Sequence, residues 1–535
     1  MKLATSAQMQ ALDQTTIRET GVPGVVLMEN AGRGTVNHMV QEFGPVRGKT
    51  VLIFIGPGNN GGDGLVIARH TLQQGGFPFI VSLVHLEKLQ GDAAINADIC
   101  QNLQIPYILC LNNDDIDILK KKIPSLNFAH PVHCIVDALF GTGLRRNIEH
   151  RFATIVELIN NLSTNQHWPV IAVDIPSGLC SDTGQTLGCS VQANLTVTYG
   201  LPKPGHYTHG GPSIGKLAVV DIGIAAASIN KMSLQGKVLD KDLKKTMLPR
   251  SRKGHKGSFG HLLVLAGSEG KTGAAILCGQ AALHSGSGLV TLAVPKNLNP
   301  VFESALPEAM TVPLQKSVHY CIDSDYDLIL KLLTNKGGLV LGPGLGTNSR
   351  TATLVKKLYC RVSQPVVVDA DALNILSESP ETLLQPGGDR ILTPHPGEMA
   401  RLFQTSTTAI QRDRVKAAAW LNKKCILNDQ EIITVLKGAG TVVCSSKGKW
   451  AVNSSGNSGM ATGGMGDVLA GLIGGLLVQG YDPLDAAELG VYLHGLSADI
   501  VAGKSPFGYL ASDVARQLPA AIKDLQQHNA FLGND

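Results

Sequence analysis

Short apolar runs alternate with longer amphipathic segments in two separate stretches of the chain. In the first stretch, residues 50–223, the apolar runs predict buried strands at residues 51–55, 79–84, 134–136, 170–173 and 195–198. Segments of helical length, such as residues 65–74 and 151–162, lie between most of them, and two helices are predicted before them, at residues 5–20 and 22–43. Strands that alternate with helices predict a parallel sheet covered on both faces.

A second alternating stretch begins at residue 261, after the pattern lapses over residues 225–257. Its apolar runs predict strands at residues 261–267, 338–342, 365–369, 390–392, 431–436 and 441–444. Helices are predicted near the end of the chain, at residues 467–479 and 483–501. The second stretch therefore predicts another α/β domain of the same class.

The lapse between the two stretches predicts a domain boundary. The chain has 535 residues, which is too long for one ordinary core, since domains usually have about 100–200 residues. Hydrophobic residues make up 44% and charged residues 16% of the chain, a balance that predicts folded domains rather than disorder. We expect two doubly wound α/β domains, residues 1–228 and 237–535, joined by a linker at residues 229–236.

Composition argues against nucleic acid and membrane partners. The net charge is +4 and aromatic residues are 4% of the chain, so neither a basic stripe nor base-stacking platforms are predicted. The longest uncharged apolar run near the C-terminus, residues 468–480, is too short to span a bilayer, and no signal peptide is predicted. The chain has 10 cysteines without C-x-x-C spacing, several of them inside apolar runs. They predict buried reduced thiols in a cytoplasmic protein.

A glycine-rich segment, residues 56–64, follows the first predicted strand and precedes a predicted helix. Its glycines satisfy the spacing G-x-G-x-x-G, which lets backbone amides approach a phosphate at a helix N-terminus. A dinucleotide-binding fold also places an acid at the end of the second strand, but the first acid in that region is Glu87, so an ordinary ribose contact is not predicted. Asn59, Asn60 and Asp63 lie in the segment, and their oxygens suit a hard cation or a polar ring.

Two aspartates lie at the carboxyl ends of predicted strands in the first sheet, which all face the same side of the domain. Asp137 and Asp174 each follow an apolar run and precede a turn that contains glycine. A helix or turn cap explains either aspartate alone, but two of them favour a site, because ligands of doubly wound sheets bind at the carboxyl ends of strands. Lys203 stands between two prolines, either as a rigidly presented functional group or as a solvated loop residue.

These segments, together with residues 28–32, resemble the NAD(P)H-hydrate epimerase family over nearly all of residues 1–225. The resemblance implies a Rossmann-like three-layer domain that interconverts the R and S epimers of hydrated NADH and NADPH. It implies substrate contacts from Asn59, Asn60, Gly61, Gly62, Asp63, Gly141, Thr142, Gly143, Leu144, Arg145, Arg146, Asn147 and Asp174.

The same resemblance implies a cation and two groups for proton transfer. A potassium ion would be held by Asn60, Asp137 and Ser177, and Asp174 and Lys203 would be the catalytic residues. One carboxylate among oxygen ligands suits a monovalent ion better than calcium or magnesium. The alternative is that Asp137 only caps the turn at residues 140–141 and binds no ion.

The strongest motif of the second stretch is Thr-Gly-Gly-Met-Gly-Asp, residues 462–467, which opens an apolar helix. Backbone amides near Gly464 and Gly466 can form an anion hole at the positive end of that helix. Asp467 stands beside this hole, where it can accept a proton from a substrate hydroxyl that attacks a phosphoryl group. The alternative is that Asp467 is a capping residue on a helix loosened by glycines.

Other predicted strand ends of the second stretch carry further candidates. Lys437 and two glycines lie in a predicted hairpin turn, which suits the phosphates of a nucleotide. His395 is held between two prolines, and Glu398 is either a metal or phosphate residue or an ordinary first-turn helix acid. Residues 342–346 and 368–374 also follow strands directly.

These segments resemble the ADP- or ATP-dependent NAD(P)H-hydrate dehydratase family over about residues 237–530, which implies a ribokinase-like fold. Adenine nucleotide contacts are implied for Lys437, Gly438, Ala439, Gly440, Thr441 and Gly466. Contacts to the hydrated nicotinamide are implied for Ala274, Gly344, His395 and Asp467. Asp467 would be the catalytic residue, and Mg²⁺ is expected at this site.

Both halves in one chain are the arrangement of the bacterial bifunctional NAD(P)H-hydrate repair enzymes. The resemblance implies that the first half epimerises the hydrates NADHX and NADPHX, and that the second half dehydrates the S hydrate at the expense of ADP or ATP. We expect these small molecules as partners and a homo-oligomer as the assembly. The alternative is a vitamin or sugar kinase in the second half with a nucleotide-binding module in the first. The sequence leaves open the choices between ADP and ATP and between NADHX and NADPHX.

Overall fold

The computed structural model describes residues 1–125, 130–208, 211–424 and 430–527. The chain divides into two compact units, which we call the first unit, Lys2–Leu234, and the second unit, Met1 together with Gln235–Asp535. The division falls inside the predicted linker, residues 229–236. These residues are not a bare linker, because they include the end of one helix and the start of a strand.

The first unit contains eight strands and nine α-helices within its described residues. The strands are β1 (Lys2–Leu3), β2 (Thr50–Ile55), β3 (Phe77–Ser82), β4 (Tyr107–Leu109), β5 (Val132–Ala138), β6 (Val170–Val173), β7 (Leu195–Tyr199) and β8 (Lys216–Val220). The helices are α1 (Ser6–Thr15), α2 (Gly24–Phe43), α3 (Asn59–Gln73), α4 (Asp92–Asn102), α5 (Asn113–Ser125), α6 (His150–Gln166), α7 (Gly205–Thr208), α8 (Gly211–Ile214) and α9 (Ala226–Lys231). A π-helical segment at Thr16–Thr20 follows α1, and a 3₁₀ turn spans Leu86–Lys88.

The sheet of the first unit is parallel throughout, in the order β4-β3-β2-β5-β6-β7-β8. Its strand β2 is buried along its whole length. Val51, Ile53 and Ile55 pack into one hydrophobic core, whereas Leu52 and Phe54 pack into another. Since alternate residues of a strand face opposite sides of a sheet, this division confirms a three-layer arrangement with helices on both faces.

The second unit contains the remaining elements. Its strands are β9 (Gly236–Leu239), β10 (His261–Leu265), β11 (Leu289–Pro295), β12 (Met310–Leu314), β13 (Gly338–Leu341), β14 (Val366–Val368), β15 (Arg390–Leu392), β16 (Ile432–Leu436), β17 (Val442–Ser445) and β18 (Trp450–Asn453). Its helices are α10 (Thr272–His284), α11 (Asn299–Ala305), α12 (Tyr326–Leu333), α13 (Ser349–Arg361), α14 (Asp371–Ser377), α15 (Pro396–Leu402), α16 (Thr407–Arg412), α17 (Arg414–Lys424), α18 (Met465–Leu477), α19 (Pro483–Ala502) and α20 (Ala511–Gln527). Its 3₁₀ turns are Lys241–Thr246, Lys256–Phe259, Lys296–Leu298, Asp323–Asp325, Pro380–Leu384 and Ser458–Met460.

The strands of the second unit run in the order β9-β18-β17-β16-β15-β14-β13-β10-β11-β12. Only β17, among these strands, is antiparallel to its neighbours, β16 and β18. Leu262 and Val264 of β10 pack into one core, and Leu263 and Leu265 pack into another. The predicted α/β class of two doubly wound domains is therefore confirmed for both units.

One predicted loop is helical instead. Helix α3 begins at Asn59, so most of the glycine-rich segment that follows β2 forms the first turns of this helix. A side chain on Gly61 would place its Cβ 2.2 Å from the carbonyl oxygen of Gly56, and one on Gly64 would meet Ala138 at 2.7 Å. The glycines therefore let the helix start directly against the sheet.

The apolar pattern also missed several strands. Strands β4, β8 and β12 lie at sheet edges and are partly exposed, so they lack a continuous apolar run. Strands β11 and β18 were missed although they lie inside the sheet. The cysteines of the described residues are free thiols, and the tenth, Cys425, lies outside those residues. Within the described ranges, no helix has the length and apolar character needed to cross a membrane.

Candidate active sites

The first unit has a cavity of about 870 Å³ at the carboxyl ends of its central strands. The predicted site residues that line it are Asn59, Asn60, Asp63, Gly141, Thr142, Gly143, Leu144, Arg145, Arg146, Asp174 and Lys203. Gly61, Gly62 and Asn147, predicted as substrate contacts, do not line it. Because the segment is helical, Gly61 and Gly62 turn toward Gly56 and Met28, while Asn147 lies beside Gly188.

Asp174 and Lys203 form a buried ion pair on the sheet side of this cavity. Lys203 Nζ donates to Asp174 Oδ1 at 2.6 Å, and Thr198 Oγ1 donates to the same oxygen at 2.9 Å. Burial alone would raise the pKa of Asp174, but the Lys203 ammonium and these hydrogen bonds hold it below its ordinary value. Asp174 is therefore a carboxylate at neutral pH.

His206 fixes the backbone on both sides of this pair. The backbone N–H of Lys203 donates to His206 Nδ1 at 3.0 Å, so the ring proton is on Nε2, which donates to the carbonyl oxygen of Asp174 at 3.0 Å. Burial lowers the pKa of His206 to about 4, which keeps the ring neutral. Asp174 has a φ of +63°, in the left-handed region that non-glycine residues rarely adopt. The imidazole thus holds a strained aspartate in place.

Four aspartates line the cavity, and three of them lie near the Lys203 ammonium; the fourth is Asp92, at the start of α4. The three near Lys203 are Asp174, Asp13, on α1, and Asp63, on α3. Burial raises the pKa of Asp63 well above its ordinary value, and the charges of Asp174 and Asp13 add to this. Burial raises the pKa of Asp13 to about 6, although Lys203 opposes the rise. The cavity therefore combines a carboxylate with acids that hold a proton more readily.

The three residues predicted to bind potassium lie around the turn that follows β5. Asp137 accepts hydrogen bonds from the backbone N–H of Ser177 at 2.8 Å and from its hydroxyl at 2.7 Å. The Ser177 oxygen also accepts from the Phe140 N–H at 2.9 Å. The Asn60 side-chain oxygen faces Gly141, 3.0 Å from where a Cβ would stand. The fold therefore brings side-chain oxygens from three segments to one turn.

The carboxyl group of Asp137 is fully buried. Burial raises its pKa to about 6, and hydrogen bonds from Ser177 and Leu139 oppose the rise. Asp137 also accepts from the Leu139 N–H at 3.3 Å, so it caps the turn whether or not an ion is bound. The side-chain nitrogen of Asn60 is buried and finds no hydrogen-bond partner among the described residues.

The turn after β5 supplies the opposite rim of the cavity and is tied to α1. The Ser6 hydroxyl, at the start of α1, donates to the carbonyl oxygen of Thr142 at 2.8 Å. Arg145 and Arg146 line the cavity with exposed side chains. Two guanidinium groups at the mouth suit the phosphates of a dinucleotide, because planar guanidinium binds phosphate with paired hydrogen bonds.

In the second unit, Lys437 lies among buried carboxylates at the carboxyl end of the sheet. Its Nζ donates to Asp369 Oδ1 at 2.7 Å and lies 3.9 Å from Glu398 Oε2. The Thr393 hydroxyl donates to the same Asp369 oxygen at 2.7 Å. Burial alone would lower the pKa of Lys437, but Asp369 and Glu398 raise it above its ordinary value. The side chain is therefore an ammonium at neutral pH.

Asp467 lies in the first turn of α18, beside Lys437. The helix is preceded by Gly464, whose φ of +89° favours glycine. A Cβ on Gly466 would stand 3.2 Å from Lys437 Nζ, so the ammonium and the positive end of the helix meet. Burial raises the pKa of Asp467 to about 7, with a further contribution from Asp369. A carboxyl group that titrates near neutral pH suits a general base.

The predicted nucleotide hairpin, Gly438, Ala439, Gly440 and Thr441, connects β16 to antiparallel β17. Gly438 and Gly440 have positive φ values of +135° and +61°. The buried guanidinium of Arg414 holds the hairpin from behind. Its Nη2 donates to the carbonyl oxygens of Leu436 at 3.0 Å and Lys437 at 3.2 Å, and Nη1 donates to Gln411 at 2.7 Å. Arg414 therefore fixes the backbone on which Lys437 is carried.

The variant Arg414→Met is expected to raise the KM for ADP about 10- to 100-fold while kcat changes less. Hydrogen bonds to charged groups contribute about 1.5–3 kcal/mol, and losing them would loosen the hairpin before the nucleotide binds. Steady-state kinetics over a range of ADP concentrations measures the separation of KM from kcat. Arg412→Met, at an exposed position on α16, is the matched control. An unchanged KM for Arg414→Met would show that the hairpin needs no such support.

The predicted nicotinamide contacts lie at neighbouring positions around this site. Gly344 has a φ of +62°, and a Cβ there would stand 3.0 Å from Cβ of Ala274. Helix α10, which carries Ala274, packs against α18. His395 caps α15 through Nδ1, which accepts from the Gly397 N–H at 3.0 Å, and its side chain is half exposed. Burial and nearby cations lower the pKa of His395, so its ring is neutral at neutral pH.

The described carboxylates of the second unit are not grouped as a metal centre. In the part of the chain that the structure describes, no group of three or more His, Cys, Asp or Glu side chains is arranged to hold a metal ion. The Lys437 ammonium occupies the space between Asp369 and Glu398 instead. These carboxylates therefore do not fit a resident divalent ion.

Two family models match the chain, one over each unit. Residues 262–520 match the model described as NAD(P)H-hydrate dehydratase, and residues 24–205 match the model described as YjeF-related protein N-terminus. The bifunctional NAD(P)H-hydrate repair enzyme Nnr of Moorella thermoacetica is 40% identical over 532 residues, which cover 98% of each chain. This chain belongs to the family of bifunctional NAD(P)H-hydrate repair enzymes. The resemblance drawn from the motifs is therefore confirmed.

Other members of the repair enzyme family are similar over most of their length. The enzyme of that name from Escherichia coli is 34% identical over 476 residues, covering 88% of this chain and 84% of the relative. Among solved structures, the ADP/ATP-dependent NAD(P)H-hydrate dehydratase of Bacillus subtilis, co-crystallized with ATP and Mg²⁺, has a TM-score of 0.47 and 30% identity. It covers 54% of this chain and 98% of that chain.

Among the cavity residues that sequence reasoning missed, Asp13 is one that a helical pattern could have found. Ser6, Met9, Gln10 and Asp13 all line the cavity of the first unit. Their spacing of three and four residues places them on one face of α1. In the sequence, Asp13 is the only charged residue on this face of α1. That pattern was the signal that could have identified it as a site residue.

Other missed residues carry no sequence signal. His206 and Arg414 act through backbone groups that are close only in the folded chain. A buried histidine or arginine in a polar segment looks like any surface residue in the sequence.

Proposed function

We propose that this chain repairs hydrated nicotinamide nucleotides in two steps, with an epimerase in the first unit and an ADP- or ATP-dependent dehydratase in the second. The observation that carries the proposal is Asp467, whose raised pKa and position at the α18 N-terminus suit a phosphoryl transfer. Similarity to repair enzymes along the whole chain supports the assignment. Water adds across a ring double bond of NADH or NADPH and leaves a hydroxyl on the carbon beside the ring nitrogen. Two epimers result, and a chain with both activities would convert both.

In the first unit, the Asp174–Lys203 pair would take part in proton transfer during epimerisation. Inverting the carbon that bears the hydroxyl requires a bond to that carbon to break and re-form, with proton transfer at the hydroxyl oxygen. Asp174 is kept as a carboxylate by Lys203 and Thr198, so it is the proton acceptor. His206 orients both residues through their backbone.

In the second unit, Asp467 would accept the proton of the ring hydroxyl as its oxygen attacks the terminal phosphoryl group of the nucleotide. The β-phosphoryl group of ADP then passes to the hydroxyl oxygen, and AMP leaves. The C–O bond of the phosphorylated carbon breaks, phosphate departs, a ring proton is lost and the double bond returns. Lys437 and the amides at the start of α18 would neutralise the phosphoryl charge.

The expected Mg²⁺ would enter with the nucleotide rather than reside on the protein. The ammonium of Lys437 already pairs with Asp369 and lies near Glu398, which leaves too few free carboxylates for a divalent site. The hairpin residues Gly438, Ala439, Gly440 and Thr441 would meet the nucleotide through their backbone amides. A homo-oligomer and a cytoplasmic location belong to the proposal as expectations.

A potassium ion in the first unit would be held by Asn60, Asp137 and Ser177. Their donor set fits it, because a fully buried carboxylate that makes no ion pair with a described residue lies beside amide, hydroxyl and carbonyl oxygens. The positive charge would stabilise the ionised form of Asp137 and the turn that forms the cavity rim.

The exchange of epimers is expected to be faster in potassium than in sodium or in a bulky organic cation. Asp137→Asn should lower the apparent cation affinity by at least about tenfold, because it removes the only charged ligand. Chiral chromatography of the two epimers over time measures the rate, and calorimetry of the same samples reports stability. If the rate of epimer exchange is the same with every cation, and Asp137→Asn changes only the melting temperature, Asp137 is a turn cap and not an ion ligand.

The experiment that tests the proposed function separates a dehydratase from a small-molecule kinase. The full chain is incubated with hydrated NADH and ADP, and both inorganic phosphate and NADH absorbance are followed. The proposal predicts one phosphate released for each NADH regained. A phosphorylated compound that accumulates without free phosphate would assign the second unit to the kinase alternative.

A further inference from the structure

Asp13 is a cavity residue with one carboxyl oxygen that the described part of the fold does not satisfy. It lies on α1, on the face that lines the cavity of the first unit. Its Oδ1 atom is buried and has no hydrogen-bond partner among the described residues. A buried polar atom without a partner costs free energy, and stable folds usually avoid it. Such an atom in the wall of a ligand cavity indicates a group that forms its hydrogen bond with the bound ligand.

The surroundings of Asp13 place it in the same electrostatic cluster as the Asp174–Lys203 pair. The charged groups that face it are Lys203, Asp174 and Asp63, each on a different segment. Burial raises its pKa to about 6. Asp13 thus keeps a proton at a pH where Asp174, paired with Lys203, has lost its own.

The backbone around Asp13 is built to hold this side chain in position. Helix α1 starts with the Thr5 cap and is tied to the cavity rim by Ser6, whose hydroxyl donates to the Thr142 carbonyl. The π-helical segment Thr16–Thr20 begins three residues after Asp13. Such irregular helical turns occur frequently at functional sites.

We propose that Asp13 is a second catalytic acid–base residue of the first unit. It exchanges a proton with the ring hydroxyl of the hydrated nicotinamide from the α1 wall, while Asp174 faces the ring from the sheet. The inference rests on the proposed epimerase function and adds a residue to it. Two proton-transfer groups on different walls suit an inversion, because the two epimers present their hydroxyl on opposite faces of the ring.

The chemical step uses only groups that the proposal names. Protonated Asp13 donates its proton to the ring hydroxyl, the C–O bond breaks, and water leaves as the nitrogen lone pair forms a C=N bond. Water then adds to the other face of this planar cation, and the C=N electron pair returns to the nitrogen. Asp174 accepts the proton released by the added water. The net change transfers one proton from Asp13 to Asp174, and proton exchange with water returns both groups to their starting states before the next turnover.

Asp13→Asn in the full chain is expected to slow epimer exchange about 10²- to 10⁴-fold, the usual loss for a general acid or base. Epimer exchange is measured between about pH 5 and 8. ADP is left out, so that the second unit does not dehydrate the S hydrate. The wild-type profile is expected to bend near pH 6. In both directions the rate falls as pH rises through this value, because the equilibrium between the epimers does not depend on pH and the two rates keep a fixed ratio. This bend disappears in Asp13→Asn.

A second variant separates chemistry from structure. Asp13→Ala leaves room for a small carboxylic acid, and added formate is expected to restore part of its exchange rate. Asp98→Asn, at an exposed position on α4, is the control for removing a carboxylate from this unit. ADP-dependent dehydration of the S hydrate by each variant reports on the second unit and should not change.

Exchange by Asp13→Asn at the wild-type rate with the wild-type bend would overturn the assignment. A slow Asp13→Ala variant that formate does not rescue, with the bend still present in Asp13→Asn, would make Asp13 a structural residue and overturn it too. Absence of exchange in the wild-type chain would instead overturn the proposed epimerase itself, and this inference with it.

Discussion

Asp467→Asn is expected to reduce ADP-dependent dehydration about 10²- to 10⁴-fold while epimer exchange by the same chain continues. An amide cannot accept the proton of the ring hydroxyl, although it keeps the shape of the side chain. The Gly464–Gly466 turn and Lys437 stay in place, so nucleotide binding should survive. Phosphate release with the S hydrate and ADP measures the loss.

The pH dependence of the same step gives an independent measurement. Because burial raises the pKa of Asp467 to about 7, its carboxylate form predominates above that pH. Dehydration should therefore be full at higher pH and fall as pH drops through about 7. Asp327→Asn, at an exposed position on α12, is the control. Near-normal dehydration by Asp467→Asn would assign Asp467 to helix capping instead.

Lys203→Met is expected to abolish epimer exchange and to destabilise the first unit by about 3–5 kcal/mol. Lys203 is 1% exposed, and its removal leaves the Asp174 carboxylate buried without its partner. The same change removes the charge that keeps Asp174 ionised, so the pKa of Asp174 would rise and the proton acceptor would be lost. Calorimetry and epimer exchange on the full chain measure the two effects.

Two further variants distinguish these effects. The double variant Lys203→Met with Asp174→Asn removes both charges and should regain part of the stability without regaining exchange. Lys231→Met breaks an exposed ion pair with Glu19 in the same unit and should change little. Exchange that persists in Lys203→Met would exclude the Asp174–Lys203 pair from the chemistry.

The sequence predicted the two α/β folds and the strand ends that carry the candidate site residues for a physical reason. Continuous apolar runs identify strands buried in a parallel sheet, and the chemistry of such sheets gathers where those strands end. Asp137, Asp174 and Lys437 were predicted at such ends. In the structure each of them lies at, or directly after, the carboxyl end of a strand. Helix α18 was predicted from residue 467 and begins at Met465, since a glycine turn followed by an apolar run opens a helix.

Other features depend on contacts that no local pattern encodes. Asp13 joins Asp174 and Lys203 only because α1 folds onto the ends of strands far along the chain. The helical state of Asn59 and its neighbours depends on close contact between Gly61 and Gly56, which the spacing of glycines alone does not distinguish from a phosphate loop. Tertiary packing decided both cases.

The most direct test of the proposed function is incubation of the full chain with mixed epimers of hydrated NADH, with and without ADP. NADH absorbance is followed to its end. The two-activity proposal predicts no recovery without ADP and, with ADP, recovery of the whole hydrate pool, because the R epimer is converted to the S epimer as the latter is consumed. Recovery that stops at the amount of S epimer initially present, or no recovery with either ADP or ATP, would contradict it.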